Sequence, residues 1–391
     1  DKVRALAMAF AMPAAMLERK LGLDAIDLDD EMTVIFTSGS TGVPKGVMLT
    51  HKNIASNVDA IQRVVHLRPT DVILGILPFF HSFGYTVTLW GPLGLDLHGA
   101  YHFSPLDARQ VGKIAGARGA TILLSTPTFL RSYMKRCTKE EFAKLEIVIA
   151  GAEKLPVKLC DAFEEKFGVR PIEGYGATEL SPVASVNVPP SRSQTDELDY
   201  REGSVGRPLL GTSAKIVHPE TGEDLSVDSE GLLLVSGPSV MKGYLHEPEK
   251  TAEVLRDGWY ATGDIARIDA EGFIHITGRE SRFSKIGGEM VPHVLIEEVI
   301  ERFLGDGEDD DLIAVVTAVP DAKKGERLIV VHREMTKSPS EIVEYLKAEG
   351  LPNLWIPSAD SFLQVDELPL LGSGKLDLKL LSKVALEKFG A

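Results

Sequence analysis

The stretch Thr37-Ser38-Gly39-Ser40-Thr41-Gly42-Val43-Pro44-Lys45-Gly46 decides how this chain is read. From Thr37 to Gly42 every residue carries a hydroxyl or no side chain. Glycine lets backbone N–H groups turn together towards an anion, and hydroxyls add further donors. Lys45 brings a mobile positive charge, and Pro44 restricts Val43 to extended geometry. Such a segment is suited to phosphate. It departs from the Walker loop, where Gly-Lys-Ser/Thr follows four intervening residues and opens a helix. Counted from Gly39, the glycine position holds Pro44, and Lys45 is followed by Gly46. Val47-Met48-Leu49 reads as a short strand, with a helix starting near Thr50. An ordinary Gly/Ser hairpin turn is the alternative, and the placement of Lys45 argues against it.

At 391 residues the chain has room for roughly two or three domains. Hydrophobic content of 44% and charged content of 25% are those of a globular protein. A net charge of −15 argues against a general nucleic-acid surface, so no nucleic-acid partner is expected. Cys137 and Cys160 lie in separate segments and indicate neither a disulfide framework nor a metal cluster; a reducing cytoplasm fits. The histidines show no HExxH spacing. No segment reaches the roughly 20 apolar residues needed to span a bilayer. The apolar run at 5–17 imitates a signal peptide, but a helix continuing through Glu18-Arg19-Lys20 explains it as well. The chain is expected to be part of a longer polypeptide.

Apolar strands at 32–36, 72–77, 121–124 and 147–150 alternate with helical stretches, which predicts an α/β portion with a largely parallel sheet covered on both faces. In the helix after Thr50, its expected N-cap, Ile54, Val58, Ile61 and Val65 share one face. Ligands gather at the carboxyl ends of such strands. The loops carrying Thr37, His81, Ser125 and Gly151 are therefore expected to converge on one site. Between 205 and 244 short strands and turns suggest a small β-barrel or sandwich. Residues 278–289 read as a charged, glycine-punctuated joint before a compact α/β module. Its helix near 339–349 is announced by Ser338, Pro339 and Glu341. The expected division is 1–190, 191–277 and 278–391. The acidic loop 305–311 reads as a solvated turn.

Five segments in order, TSGSTGVPKG (37–46), EGYGATE (173–179), WYATGD (259–264), GRESRFSKIGGE (278–289) and LLGSGKLD (370–377), resemble the adenylate-forming (AMP-binding) acyl-CoA synthetase superfamily over nearly the whole chain. FFHSFG, EGYGATELSPVASVNVP, KIGGEMV and LPLLGSGK are further similar to the acyl-ACP synthetase half of the bifunctional 2-acylglycerophosphoethanolamine acyltransferase/acyl-ACP synthetase family. The resemblance implies the adenylate-forming-enzyme fold, here without its N-terminal subdomain: an α/β subdomain, a small β-barrel and a smaller mobile α+β C-terminal domain. It also implies a longer chain that adds an N-terminal acyltransferase or the remaining ligase subdomain, in the cytoplasm with association to the inner membrane.

The resemblance implies a ligase acting in two steps. A carboxylate attacks the α-phosphate of ATP to give acyl-AMP, and a thiol of acyl carrier protein or CoA then displaces AMP. The expected acid is a fatty acid. Thr37, Ser38, Gly39, Ser40, Thr41, Gly42 and Lys45 would hold the phosphates, and Glu179 would bind Mg2+, a hard cation suited to carboxylate oxygen. Thr178 would contact the α-phosphate and Tyr175, beside Gly176, would stack on adenine. The Gly151-Ala152-Glu153 turn would line the base pocket. Asp264 would take the ribose hydroxyls, supported by Arg279. Lys375 would bridge carboxylate and α-phosphate, opposing charge that develops during adenylation. His81 matches a position beside the acyl carboxylate, or is a satisfied histidine within Phe79, Phe80 and Phe83. Ser281 stands at the hinge, where Asp or Lys is usual, and Lys285, Gly287 and Gly288 would line the thiol tunnel. The segments 85–90 and 182–185 offer no acid to hold an ammonium, which favours an uncharged tail. A nucleotide-binding module without turnover is the reading from a different class.

Overall fold

The computed structural model describes residues 2–37, 44–193, 199–305, 312–369 and 376–390. Its largest sheet has seven strands in the order His98–Tyr101, Val72–Gly75, Ile122–Ser125, Ile147–Ala150, Ile172–Gly176, Val183–Val186 and Arg207–Pro208. The first five pair in parallel and the last two close the edge antiparallel. Every residue of Ile122–Ser125 and Ile147–Ala150 is buried, as expected of strands covered on both faces. Alternate residues feed two cores. Leu74, Leu123 and Val148 pack with Val111, Leu130 and Phe163 of helices Ala108–Arg118, Pro127–Arg136 and Val157–Phe167. Ile73, Leu124 and Ile149 pack with Ile61 and Val65 of helix His51–Val65 and with Val87 of the π-helical segment Gly84–Trp90. Thr50 caps the His51–Val65 helix, its hydroxyl accepting from the Asn53 N–H at 3.2 Å while the Asn53 side chain accepts from the Thr50 N–H.

Strand Glu31–Thr37 does not join this sheet. It pairs antiparallel with Lys45–Thr50, Thr37 opposite Lys45, and Gly243–Tyr244 adds a third strand. Thr37 and Lys45, which flank the stretch expected to bind phosphate, thus stand at the ends of two paired antiparallel strands rather than on the parallel sheet, and residues 38–43 between them lie outside the described residues. The hairpin packs through Ile35, Val47 and Leu49 on Leu233, Val235 and Tyr260 of a second antiparallel sheet. That sheet contains Ser213–Val217, Gly231–Ser236, Leu255–Arg256, Trp259–Ile268 and Ile274–Arg279. It is open: among the described residues no pairing closes it into the expected barrel, because Arg207–Pro208 and Gly243–Tyr244 are taken by the other two sheets.

The last portion is an α+β unit. Strands Glu289–Pro292, Phe283–Ile286, Gly325–His332 and Ala314–Asp321 follow in that order, with Phe362–Gln364 parallel to Gly325–His332. Helices His293–Leu304 and Pro339–Ala348 cover one face and Leu378–Phe389 the other. Ser338 and Glu341 form the capping box read from the sequence. At the other end of the chain, Pro13 splits the expected single helix into Lys2–Ala11 and Ala14–Leu21, since proline lacks the N–H an interior position must donate. No described helix is long and apolar enough to cross a membrane. The acidic loop 305–311 lies outside the described residues beyond Gly305.

Candidate active site

A cavity of about 1070 Å³ opens where the hairpin, the parallel-strand loops and the open sheet meet. Its walls include Thr37, Lys45, His81, Gly151, Ala152, Tyr175, Gly176, Thr178, Glu179, Asp264 and Arg279, so residues spread over more than half the chain face one space. Gly176 is required by close approach: a Cβ there would lie 2.1 Å from the Pro182 carbonyl oxygen. Ala152 adopts the left-handed region at φ 70°, turning the chain sharply after the Ile147–Ala150 strand.

Asp264 is the centre of one polar group. It is buried, faces Arg279 across the Trp259–Ile268 and Ile274–Arg279 strands, and pairs with the Arg279 Nε at 2.9 Å. Its other oxygen accepts from the Tyr175 hydroxyl at 2.5 Å. Burial, reinforced by the Asp264 charge, pushes the Tyr175 phenol well above its ordinary range, so it remains a donor. A carboxylate has roughly four acceptor positions. Tyr175 and Arg279 use one each, which leaves capacity for two further donors such as vicinal hydroxyls.

Glu179 centres a second group. It is buried, accepts from the Tyr244 hydroxyl at 2.8 Å, and Lys45 Nζ donates to the same phenol oxygen at 3.3 Å. Thr178 shares a hydrogen bond of 3.1 Å with the buried Ser82, the residue that follows His81 in the chain. The Thr37 hydroxyl is buried without a partner among the described residues. A buried orphan donor is costly unless a ligand or the adjoining loop meets it. Among the described residues no cluster of three or more His, Cys, Asp or Glu forms a protein-only metal site. The donor set instead suits Mg2+, which is commonly held by one or two carboxylates together with substrate phosphates. Hydroxyls, an ammonium and one carboxylate at this end therefore fit a metal–phosphate group.

Part of the lining is apolar: Ile61, Val65, Val87, Leu124, Ile149 and Val186, which belong to one core cluster, with Pro182 and Val183. His81 also faces the cavity and is exposed, its Nδ1 accepting from the Phe83 N–H at 3.2 Å.

Other expected site residues are placed elsewhere. The Glu153 carboxylate accepts from the Thr128 hydroxyl at 2.8 Å and does not contribute to the cavity wall, unlike Gly151 and Ala152. Ser281 lies in the short helical turn Glu280–Arg282. Lys285 pairs with Glu220, and Gly287 and Gly288 form the tight turn before Glu289–Pro292, at φ 60° and 90°. All three stand outside the cavity. Ser38, Gly39, Ser40, Thr41, Gly42 and Lys375 lie outside the described residues. Ser82, Tyr244 and Tyr260 are cavity residues that sequence reasoning did not single out. Ser82 sat within the quoted FFHSFG segment, whereas nothing near Tyr244 beyond its glycine neighbour signalled a site.

Residues 9–245 match the family model for AMP-binding enzyme. The chain is 32% identical over 365 residues to the long-chain-fatty-acid–CoA ligase of Bacillus subtilis (strain 168), covering 91% of this chain and 62% of that protein. It is 31% identical over 360 residues to the feruloyl-CoA synthase of an Amycolatopsis species, covering 90% and 69%. The chain thus spans only part of the length of these relatives. Among solved structures it resembles ATP-bound MatB from Rhodopseudomonas palustris, with a TM-score of 0.79 and 30% identity over 93% of this chain and 70% of that one. It also resembles the o-succinylbenzoate coenzyme A synthetase MenE of Bacillus subtilis in complex with ATP and magnesium, at TM-score 0.75, 27% identity, and 91% and 71% coverage. With its adenylate-forming fold, the chain belongs to the AMP-binding enzyme family.

Proposed function

We propose that this chain is the catalytic portion of an acid–thiol ligase that activates a fatty acid with ATP, through acyl-AMP, and passes the acyl group to a thiol. One observation carries the reading: a single cavity is lined both by the polar groups around Glu179 and Asp264 and by the apolar cluster of Ile61, Val65, Val87, Leu124, Ile149 and Val186. The fatty-acid–CoA ligases among the relatives support the same substrate class.

In this reading Asp264 takes the ribose hydroxyls, Tyr175 and the Gly151-Ala152 turn form the base pocket, and Thr37 and Lys45 with the adjoining loop grip the β- and γ-phosphates. Glu179 would hold Mg2+, which when bound neutralises phosphate charge and orients the leaving pyrophosphate. A fatty carboxylate oxygen bonds to the α-phosphorus as the bond to pyrophosphate breaks; Thr178 and Lys375 oppose the charge that develops there, and His81 stands beside the carboxylate. The thiol sulfur then bonds to the acyl carbon as AMP leaves. Ser281 would serve as the pivot that brings Lys285, Gly287 and Gly288 towards the thiol path. CoA is the acceptor named for the relatives, and acyl carrier protein is the finer proposal from the FFHSFG and KIGGEMV segments. The setting is the cytoplasm, at the inner membrane in a longer protein that adds an acyltransferase or the rest of the ligase. An aromatic acid is the second reading, favoured by the feruloyl-CoA synthase relative.

The test uses the full-length protein: palmitate should drive ATP–pyrophosphate exchange, and Lys375→Ala should abolish it. Tight ATP binding without exchange by any carboxylic acid would leave a nucleotide-binding module and overturn the ligase reading. Thioester formed with only CoA or only acyl carrier protein identifies the acceptor.

A further inference from the structure

Tyr244 holds a place that the ligase reading leaves without a role. It sits on the two-residue strand Gly243–Tyr244, opposite Val47 of the hairpin, and is 3% exposed. Its hydroxyl donates to Glu179 Oε1 at 2.8 Å and accepts from Lys45 Nζ at 3.3 Å, while the ammonium stands 4.3 Å from the ring centroid. An ammonium has no acceptor and an ionised carboxylate no donor, so the phenol oxygen accepts from Lys45 while its O–H donates to Glu179. Tyr260 packs beside it in the same core and is a further hydrogen-bond partner of the phenol. One hydroxyl therefore stands between the cation of the phosphate hairpin and the carboxylate of the metal position.

We propose that Tyr244 is a positioning residue that keeps Lys45 and Glu179 oriented and apart, leaving the carboxylate for a divalent cation and the ammonium for phosphate. A lysine and a carboxylate this close in a partly buried cavity attract strongly, and a direct pair would neutralise both. The phenol satisfies each with a charge-assisted hydrogen bond. Glu179 then keeps its second oxygen, and Lys45 is held by a hydrogen bond of 3.3 Å and a cation–π contact, which a phosphate oxygen can replace. The inference rests on the ATP·Mg2+ reading of the site.

Calorimetric titration of the full-length protein with ATP across a series of Mg2+ concentrations, with AMP as control, tests it. Tyr244→Phe should raise the Mg2+ concentration for half-maximal ATP binding about tenfold, the size of one lost hydrogen bond to a charged group, with AMP affinity unchanged. Adding Lys45→Met to Tyr244→Phe should return the Mg2+ midpoint towards the wild-type value, since no ammonium is left to compete for Glu179. Lys45→Met alone, with Tyr244 in place, should weaken ATP without moving that midpoint. An unchanged midpoint in Tyr244→Phe, or a midpoint that falls sharply in Lys45→Met alone, overturns the proposal. The second result stands even where Tyr244→Phe fails to fold. Wild-type protein that binds no ATP at any Mg2+ concentration overturns the reading of the site and this inference with it.

Discussion

Asp264→Asn is the sharpest perturbation of the nucleotide end, because it preserves shape and removes charge. The wild-type carboxylate is 7% exposed, accepts from Tyr175 at 2.5 Å and pairs with Arg279 at 2.9 Å. An amide keeps one acceptor oxygen and turns the other into a donor facing Tyr175 or Arg279, both donors themselves. Arg279 is 65% exposed, so its pairing contributes little to stability. The clash with Tyr175 is buried, and an unsatisfied buried donor costs about 1–3 kcal/mol. The variant should fold with a modestly lower unfolding midpoint. For the ligand, the amide can accept from one ribose hydroxyl rather than two. A hydrogen bond to a charged group contributes about 1.5–3 kcal/mol, so AMP should bind roughly 10- to 150-fold more weakly. Adenine, which lacks the ribose, should bind as to wild type. Calorimetry with AMP and adenine reads both. An AMP affinity equal to wild type, or a parallel loss for adenine, would refute the assignment of Asp264 to the ribose.

Arg192 donates to both oxygens of Asp71, and the two side chains are 1% and 2% exposed. Burial alone would raise the Asp71 pKa, but Arg192 and the Arg68 N–H outweigh it and hold the carboxyl below its usual range. Arg192→Leu should cost about 3–5 kcal/mol in denaturant unfolding, leaving a buried carboxylate unpaired. The gap between wild type and variant should shrink as pH falls below about 4, since a depressed pKa stabilises above the unfolded value and that stability is lost on protonation. Burial lowers His293 to about 3, helped by Arg282 nearby. Its neutral form is thus required in the fold, and its stability is complete above about 6.5, the unfolded value. Below that pH, thermal melts should favour His293→Gln by a margin that grows by about 1.4 kcal/mol per unit down to the folded value. In the apolar part of the cavity lining, Ile149→Phe should reduce activity with long-chain acids more than with short ones; equal loss for all chain lengths would argue that Ile149 does not meet the acyl tail.

Local signals were legible wherever a few neighbouring residues determine the outcome. Thr50 with Asn53, and Ser338 with Glu341, cap their helices because the donors and acceptors lie within one turn. The buried face Ile54, Val58, Ile61 and Val65 followed from helical spacing, and two of these residues reach the cavity. Sheet membership was less legible, since pairing joins residues far apart. Strand Glu31–Thr37 reads like its parallel neighbours yet pairs with Lys45–Thr50, and Tyr244 bonds Lys45 of that hairpin from 199 residues further along the chain. Thr178, Glu179 and Asp264 stand in segments that the sequence made legible, and all three line the cavity; Ser82, which bonds Thr178, lies in the FFHSFG segment without marking itself, and Tyr244, which bonds Glu179, lies in none because its place is fixed only by packing.

The central claim is that ATP is cleaved at the α-phosphate. Full-length protein supplied with a fatty acid, a thiol acceptor and ATP labelled at the α-phosphorus tests it directly. The label should appear in AMP, one equivalent for each thioester formed, with unlabelled pyrophosphate released. Label recovered in ADP instead, with inorganic phosphate as the other product, would contradict the account.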